Sequence, residues 1–205
     1  MTRIIAGRAG GRRLSTPPGT ATRPTSDRVR EALFSAVESW CGSLSGLRVL
    51  DLYAGSGAVG LEAWSRGAAA VTLVESDRRT AALVAANARD LGAREAQVLT
   101  SAVAAVLARP PAGGPYDVVF ADPPYPLPDE AVAGDLRALV EHGWLAPDAL
   151  VVVERSARSP EPAWPAGLEP HRRRAYGETV LWYGHAASPG PDEDAQPSTK
   201  PSEGE

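Results

Sequence analysis

Short apolar runs recur along the middle of the chain, at Val49–Tyr53, Val71–Val74, Val98–Leu99, Val118–Ala121 and Leu150–Val153. They lack apolar–polar alternation and several are rich in β-branched residues. Strands of that kind belong in a sheet covered on both faces. Each of the first four is followed by helix-compatible sequence: Val59–Arg66, Arg78–Leu91, Ala102–Ala108 and Asp129–His142. Two further candidate strands, Pro170–Arg174 and Thr179–Tyr183, flank Ala175-Tyr176-Gly177-Glu178 as a closing hairpin. The pattern predicts an α/β, Rossmann-like fold, with a mostly parallel seven-stranded sheet and an antiparallel C-terminal hairpin.

The ends of the chain read differently. Arg3 to Leu14 is a Gly-rich hairpin, followed by a Pro/Thr loop through Thr25. Ser26 or Asp27 caps a helix reaching about Trp40, with Val29, Leu33, Phe34 and Val37 on one face. From Ala186 onward proline, glycine, serine and acids dominate without apolar spacing, the composition of a disordered tail. The predicted organisation is a hairpin and loop over residues 1–25, a main α/β domain over 26–185 and an acidic tail over 186–205.

Composition narrows the function. With 205 residues the chain is long enough for one core plus appendages. No apolar run is long enough to span a bilayer. Cys41 is the single cysteine, and His142, His171 and His185 have no ligand spacing among them, so neither a disulfide nor a metal centre is expected. The expectation is a soluble, cytoplasmic, metal-free protein, by default a monomer. The net charge of −4 resides in the tail, where Asp192, Glu193, Asp194, Glu203 and Glu205 face only Lys200. The N-terminal segment is the reverse. Arg3, Arg8, Arg12, Arg13, Arg23, Arg28 and Arg30 oppose Asp27 alone, with Gly7, Gly10 and Gly11 between them. Such a clustered basic arm is a candidate phosphate-binding surface, with Arg3, Arg8, Arg12 and Arg13 assigned to nucleic acid.

Gly55-Ser56-Gly57-Ala58-Val59-Gly60 satisfies the dinucleotide fingerprint after a strand and before a helix. Asp51, at the end of that strand, argues against a dinucleotide. Pyrophosphate seeks a helix N-terminus because amides and dipole favour negative charge there. Two like unit charges ~4 Å apart cost roughly 4 kcal/mol at an effective dielectric near 20. S-adenosylmethionine carries a sulfonium and an ammonium and no phosphate, so Asp51 favours it. Glu75 closes the second strand, where a carboxylate can accept both ribose hydroxyls; NAD sites share this role.

Asp122-Pro123-Pro124-Tyr125 follows the fourth strand and so emerges on the same sheet edge as Asp51 and Glu75. The amino group of a nucleobase is a poor nucleophile because its lone pair is delocalised into the ring. Hydrogen bonds from its two N–H groups to the Asp122 carboxylate and the Pro123 carbonyl would favour a pyramidal nitrogen. Pro123 and Pro124 fix φ and pre-aim that carbonyl, and Tyr125 offers a stacking face for an extruded or unpaired base.

Asp51–Gly57, Glu75 and Asp122–Tyr125 together resemble the class I methyltransferases that act on base amino nitrogens. Arg3-Ile4-Ile5-Ala6-Gly7, Gly11-Arg12-Arg13-Leu14, Arg23-Pro24-Thr25-Ser26-Asp27-Arg28-Val29-Arg30-Glu31 and the late Tyr176-Gly177-Glu178-Thr179 are similar to the bacterial 16S rRNA guanine-N2 methyltransferase family. The resemblance spans about Arg3 to Tyr183. It implies that Asp122, Pro123, Pro124 and Tyr125 hold a guanine of 16S rRNA in the small ribosomal subunit. It also places S-adenosylmethionine against Asp51, Tyr53, Gly55, Gly57 and Glu75, with Arg23 and Thr25 near its methionine end. The broader pattern often has an acidic residue after the third strand to meet the adenine; here the sequence is Thr100-Ser101-Ala102, so Ser101 and Ala102 take that place. The alternative is a DNA or RNA adenine-N6 methyltransferase, because the tetrapeptide serves that amine equally. An NAD-dependent oxidoreductase is opposed by Asp51, and a non-catalytic RNA-binding module leaves Asp122–Tyr125 without a purpose.

Overall fold

The computed structural model describes residues 2–17 and 27–187. β1 (Thr2–Arg3) and β2 (Arg13–Leu14) pair antiparallel around a 3-10 turn at Gly7–Ala9. α1 (Asp27–Cys41) leads into the alternating body: β3 (Arg48–Leu52), α2 (Ala58–Ser65), β4 (Ala70–Glu75), α3 (Arg78–Leu91), β5 (Ala96–Thr100), α4 (Val103–Leu107), β6 (Tyr116–Ala121) and α5 (Asp129–Glu141). β7 (Leu145–Ser156), β8 (Leu168–Tyr176) and β9 (Thr179–Ala186) complete it. The seven strands lie in the order β5-β4-β3-β6-β7-β9-β8. β3 to β7 are parallel, and β9 is antiparallel to both β7 and β8. This is the expected sheet, closing hairpin included.

Strands without alternation are explained by two cores, one on each face. Val49, Val71, Leu73, Phe120 and Val152 pack with Leu33, Phe34, Leu61 and Val84 of α1, α2 and α3. Leu50, Leu52, Val74, Ala121 and Val153 pack with Leu107, Leu136 and Leu139 of α4 and α5. Each such side chain contributes roughly 1.5–3 kcal/mol on burial. Among the described residues no helix is long and apolar enough to cross a membrane.

Some boundaries shift. α4 is shorter than expected, and β8 and β9 are longer, because the two strands pair continuously enough to bring Leu168 opposite Ala186. β9 therefore runs one residue past the expected domain end, and the tail from residue 188 lies outside the described residues.

The N-terminal hairpin is tied to α2 by a carboxylate. Glu62, fully buried, accepts the Ile5 amide at 2.6 Å, the Ala6 amide at 3.0 Å and the Arg66 guanidinium at 2.8 Å. Gly7 seats the tip against the end of α2: at φ +79° its Cβ would stand 2.0 Å from the Ser65 carbonyl oxygen. Arg30 of α1, also buried, donates to the Arg3 carbonyl at 2.7 Å and to Asp27 at 2.8 Å.

Candidate active site

Four of the parallel strands deliver a carboxylate to one edge of the sheet. Asp51 is the fourth residue of β3, Glu75 ends β4, Asp122 follows β6, and Glu154 lies near the end of β7. Carboxyl ends of parallel strands are where ligands bind in open α/β sheets. The edge is thus built by topology, while the acids are supplied by sequence.

Asp51 is almost wholly buried, at 1 % exposure, and accepts the Gly60 amide at 2.8 Å. Burial pushes its carboxyl up to about 7; the Gly60 bond opposes the rise and the charge of Glu75 adds to it. A buried acid so reluctant to ionise has room for a cation's field. The Glu75 carboxylate accepts the Gly55 amide at 3.0 Å and the Asp77 amide at 2.8 Å, one on each oxygen. Each carboxylate oxygen has capacity for a second donor, so ribose hydroxyls can still be accepted.

The glycines of the turn serve different ends. A Cβ on Gly57 would meet Val84 at 2.8 Å, and one on Gly60 would meet Leu73 at 2.7 Å and the Asp51 carboxylate at 3.1 Å. Those two let α2 pack close to the sheet. A Cβ on Gly55 would meet only the Tyr53 carbonyl oxygen, at 4.0 Å, so this position faces open space beside Glu75. A cationic nucleoside with a ribose fits this donor set: a buried acid, a second acid at a strand end, and an open glycine between them.

Tyr53 takes a different direction from the other cofactor candidates. Its φ of 62° is left-handed, rare for a bulky residue and costing on the order of 1–3 kcal/mol. Its hydroxyl donates to the Asp135 carboxylate on α5, and its ring packs with the α4–α5 core. Burial first, then the Asp135 bond and charge, push the phenol's pKa up. The side chain is thus committed to α5, and what remains for a ligand is its backbone. Ser101 donates its amide to the Glu75 carbonyl at 3.1 Å and its hydroxyl to the Ala102 carbonyl at 3.4 Å, which brings both residues beside the end of β4. Arg23 and Thr25 lie outside the described residues.

Asp122 heads the tetrapeptide. Its amide donates to the Leu52 carbonyl at 3.4 Å, which ties it to the end of β3. Its carboxyl is held well above the usual range by burial, then by the charges of Glu154 and Asp51, against the pull of Arg155. Arg155 itself pairs with Asp129 at the start of α5. Pro123 is buried and Pro124 exposed, and the Leu127 amide closes the turn on the Pro124 carbonyl at 2.8 Å. Tyr125 stands 70 % exposed, a large hydrophobic ring left in solvent beside a half-buried acid.

The arginines divide. Arg3 and Arg13 sit on the paired strands, and Arg3 is 3.2 Å from Asp27. Arg8 stacks 4.0 Å over Trp64 and lies 3.7 Å from Glu95; Arg12 donates to the Asp90 carbonyl at 2.9 Å. Trp64 lies in the last turn of α2, Asp90 in the last turn of α3, and Glu95 precedes β5. Arg8 and Arg12 are therefore held at the sheet edge opposite Asp122, and the fold does not bring them to the carboxylates. Another basic group, which no motif in the sequence marks, is the edge-strand run Arg172-Arg173-Arg174. Arg172 lies 4.7 Å over Tyr183 and Arg173 5.4 Å over Trp182. Arg174 pairs in register with Leu181, which pairs with Glu154. Concavities of about 480 and 450 Å³ run along α3 and edge strand β5, but none of the four acids lines them.

The parallel sheet with its antiparallel hairpin and the carboxylate-lined edge define the class: a Rossmann-like class I methyltransferase, the S-adenosylmethionine-dependent kind. The chain belongs to the family described as Conserved hypothetical protein 95, whose model matches residues 2–185. It is 40 % identical over 181 residues to the Ribosomal RNA small subunit methyltransferase D of Escherichia coli K12, covering 87 % of this chain and 86 % of that protein. The Haemophilus influenzae protein of the same name is 36 % identical over 77 % of this chain and 80 % of its own length. Among solved structures, "Putative methyltransferase yhhF" of Escherichia coli superposes with a TM-score of 0.80 at 34 % identity, covering 92 % of this chain and 99 % of that one. A hypothetical protein of Thermus thermophilus gives 0.71 at 32 % identity over 89 % and 98 %.

Proposed function

We propose that this protein transfers a methyl group from S-adenosylmethionine to the exocyclic N2 of a guanine in 16S rRNA of the small ribosomal subunit, acting as a monomer in the cytoplasm. The observation that carries the proposal is Asp122: a half-buried acid in a proline-fixed turn, beside an exposed ring and on the edge that also holds Asp51 and Glu75. The names of the relatives favour ribosomal RNA over DNA.

Bound S-adenosylmethionine supplies an electrophilic methyl on a sulfonium. The chain's own residues do the rest. Asp51 offers negative charge to the cationic end and Glu75 accepts from the ribose, while Arg23 and Thr25 are assigned to the methionine end and Ser101 and Ala102 to the adenine. Asp122 and the Pro123 carbonyl accept the two N–H bonds of the base amine, drawing its lone pair out of conjugation. Pro124 stiffens the turn, and Tyr125 holds the base flat by stacking, a contact worth ~1–3 kcal/mol. The amine reacts as a neutral nucleophile and its surplus proton leaves afterwards, so no covalent enzyme intermediate is needed. Four acids at this edge repel phosphate, and the counter-charge is assigned to Arg172, Arg173 and Arg174, with Arg3 and Arg13 of the hairpin.

The test supplies labelled S-adenosylmethionine with small subunits lacking the modification, naked 16S rRNA or duplex DNA, and identifies the product by nucleoside mass spectrometry. N2-methylguanosine from subunits or rRNA is the expected result. N6-methyladenine from DNA would overturn the substrate while leaving the class intact.

A further inference from the structure

Glu154 is the acid at this edge that the proposed chemistry leaves unused. β6 and β7 run parallel with Phe120 opposite Val152 and Ala121 opposite Val153. The ladder ends there, and the next residue along each chain is Asp122, just past β6, and Glu154, still in β7. Successive side chains alternate faces along a strand. Phe120 and Val152 lie in the α1–α3 core, whereas Ala121 and Val153 lie in the α4–α5 core. Continued one residue past the end of β6, this alternation turns Asp122 to the same face as Glu154 on the neighbouring strand. Glu154 is 8 % exposed and close enough that its charge raises Asp122's affinity for a proton. On its other side the registered neighbour is Leu181, fully buried. Arg155, the nearest cation in sequence, projects on the opposite face and is paired with Asp129.

Two carboxylates side by side offer two adjacent acceptors, which a ligand bringing two adjacent donors would match. The exocyclic amines of the nucleobases differ on this point. In adenine and cytosine the ring nitrogen next to the amine on the pairing edge is an acceptor with a lone pair. In guanine it is N1–H, a donor. An acid holding the amine fits all three bases; a second acid beside it fits guanine alone.

We infer that Glu154 is the specificity-determining residue for guanine, accepting N1–H while Asp122 holds the N2 amine. The inference rests on the proposed guanine-N2 reaction. It assigns Glu154 a recognition role and no step in the methyl transfer. An adenine or cytosine placed there sets a lone pair against a carboxylate.

The experiment uses the full chain with an RNA substrate carrying either guanine or 2-aminopurine at the target position. 2-Aminopurine keeps the 2-amino group but has a lone pair at N1. The wild type is expected to prefer guanine by roughly 10- to 100-fold in kcat/KM, the discrimination of one well-formed polar base contact. Glu154→Gln is expected to lose activity on guanine and to reduce the preference to within about threefold, since its amide can donate to the N1 lone pair. The fluorescence of 2-aminopurine gives a parallel binding titration, in which the Gln variant is expected to bind that RNA at least as tightly as the wild type. A guanine preference unchanged in Glu154→Gln overturns the inference. So does a wild type that uses both bases equally. If the Gln variant does not fold, Glu154→Asp keeps the charge on a shorter stem: a reduced preference supports the role, and wild-type kinetics on both bases overturns it. Wild-type product identity is read first, by nucleoside mass spectrometry. A product other than N2-methylguanosine refutes the proposed reaction itself, whereas N2-methylguanosine with an unchanged variant preference refutes only Glu154.

Discussion

The Asp51 carboxylate accepts the Gly60 amide at 2.8 Å, and that one bond does not offset its removal from water. Its carboxyl consequently titrates at about 7 in the folded chain, against the ordinary aspartate value of 3.8. An acid that holds its proton more tightly when folded favours the folded state at low pH. That contribution is complete below 3.8 and is lost as the pH rises through about 7. Asp122 shifts in the same direction, so the two acids are separated by substitution. The ligand-free wild type is expected to lose melting temperature from about pH 5 to about pH 8 relative to Asp51→Asn. Cofactor binding should show the mirror image. A cation beside Asp51 displaces its proton, so affinity should rise by up to about tenfold per pH unit below about 7 and then level. Calorimetric titration in two buffers of different ionisation enthalpy reads the released proton directly. A flat profile in the wild type would separate Asp51 from the cofactor.

Asp122→Ala removes the acceptor for the base amine without touching Asp51 or Glu75. Methyl transfer is expected to fall by roughly 100- to 1000-fold or more, the scale for deleting one preorganised polar group from a reacting centre. Cofactor affinity should change by no more than about threefold, because the group contributes to the reacting base and not to cofactor binding. Single-turnover rates and equilibrium cofactor titrations measure the two separately. Retained turnover would remove Asp122 from the chemistry.

Much of this edge is legible before any coordinates. Apolar runs that meet an acid near their end, as Val49-Leu50-Asp51, Leu73-Val74-Glu75 and Phe120-Ala121-Asp122 do, mark strands that bring carboxylates to one edge of the sheet. Val152-Val153-Glu154 repeats the signature, and its register beside Asp122 is what the sequence does not state, because pairing between β6 and β7 is a tertiary choice. The hairpin shows the opposite limit. Its arginines and glycines are visible as composition, but their direction is decided by Glu62, an acid in the middle of an apolar helix that collects two hairpin amides. Tyr53 is a third case: a backbone forced left-handed turns the ring toward Asp135, and no local pattern announces that.

Tyr125 tests the stacking role. At 70 % exposure its ring contributes little to the core, so substitution should leave the melting temperature nearly unchanged. Tyr125→Phe keeps the face and is expected to behave as wild type within about twofold. Tyr125→Ala should lose ~1–3 kcal/mol of base stacking, roughly five- to 150-fold in RNA affinity or in kcat/KM. Competition titrations with unmodified RNA read the difference. Equal loss in both variants would assign the effect to the hydroxyl.

The two arginine groups make opposite predictions. Each phosphate neutralised by a protein cation steepens the dependence of RNA affinity on salt, by about one in the log–log slope. Arg174 lies on the face shared with Glu154, two registered strands away, and Arg172 follows the same alternation. Replacing both by alanine is therefore expected to weaken RNA binding and lower the slope by about two, with cofactor affinity retained. Arg8 is engaged by Trp64 and Glu95 at the far edge, a stack worth ~0.5–1 kcal/mol at an exposed site. Arg8→Ala should lower the melting temperature by a few degrees and leave the salt slope unchanged. Filter binding across a salt series, run beside thermal melts, decides between them. A slope that falls with Arg8→Ala and not with the β8 pair would place the RNA across the hairpin tip, and the molecule would then have to bind it on two opposite edges.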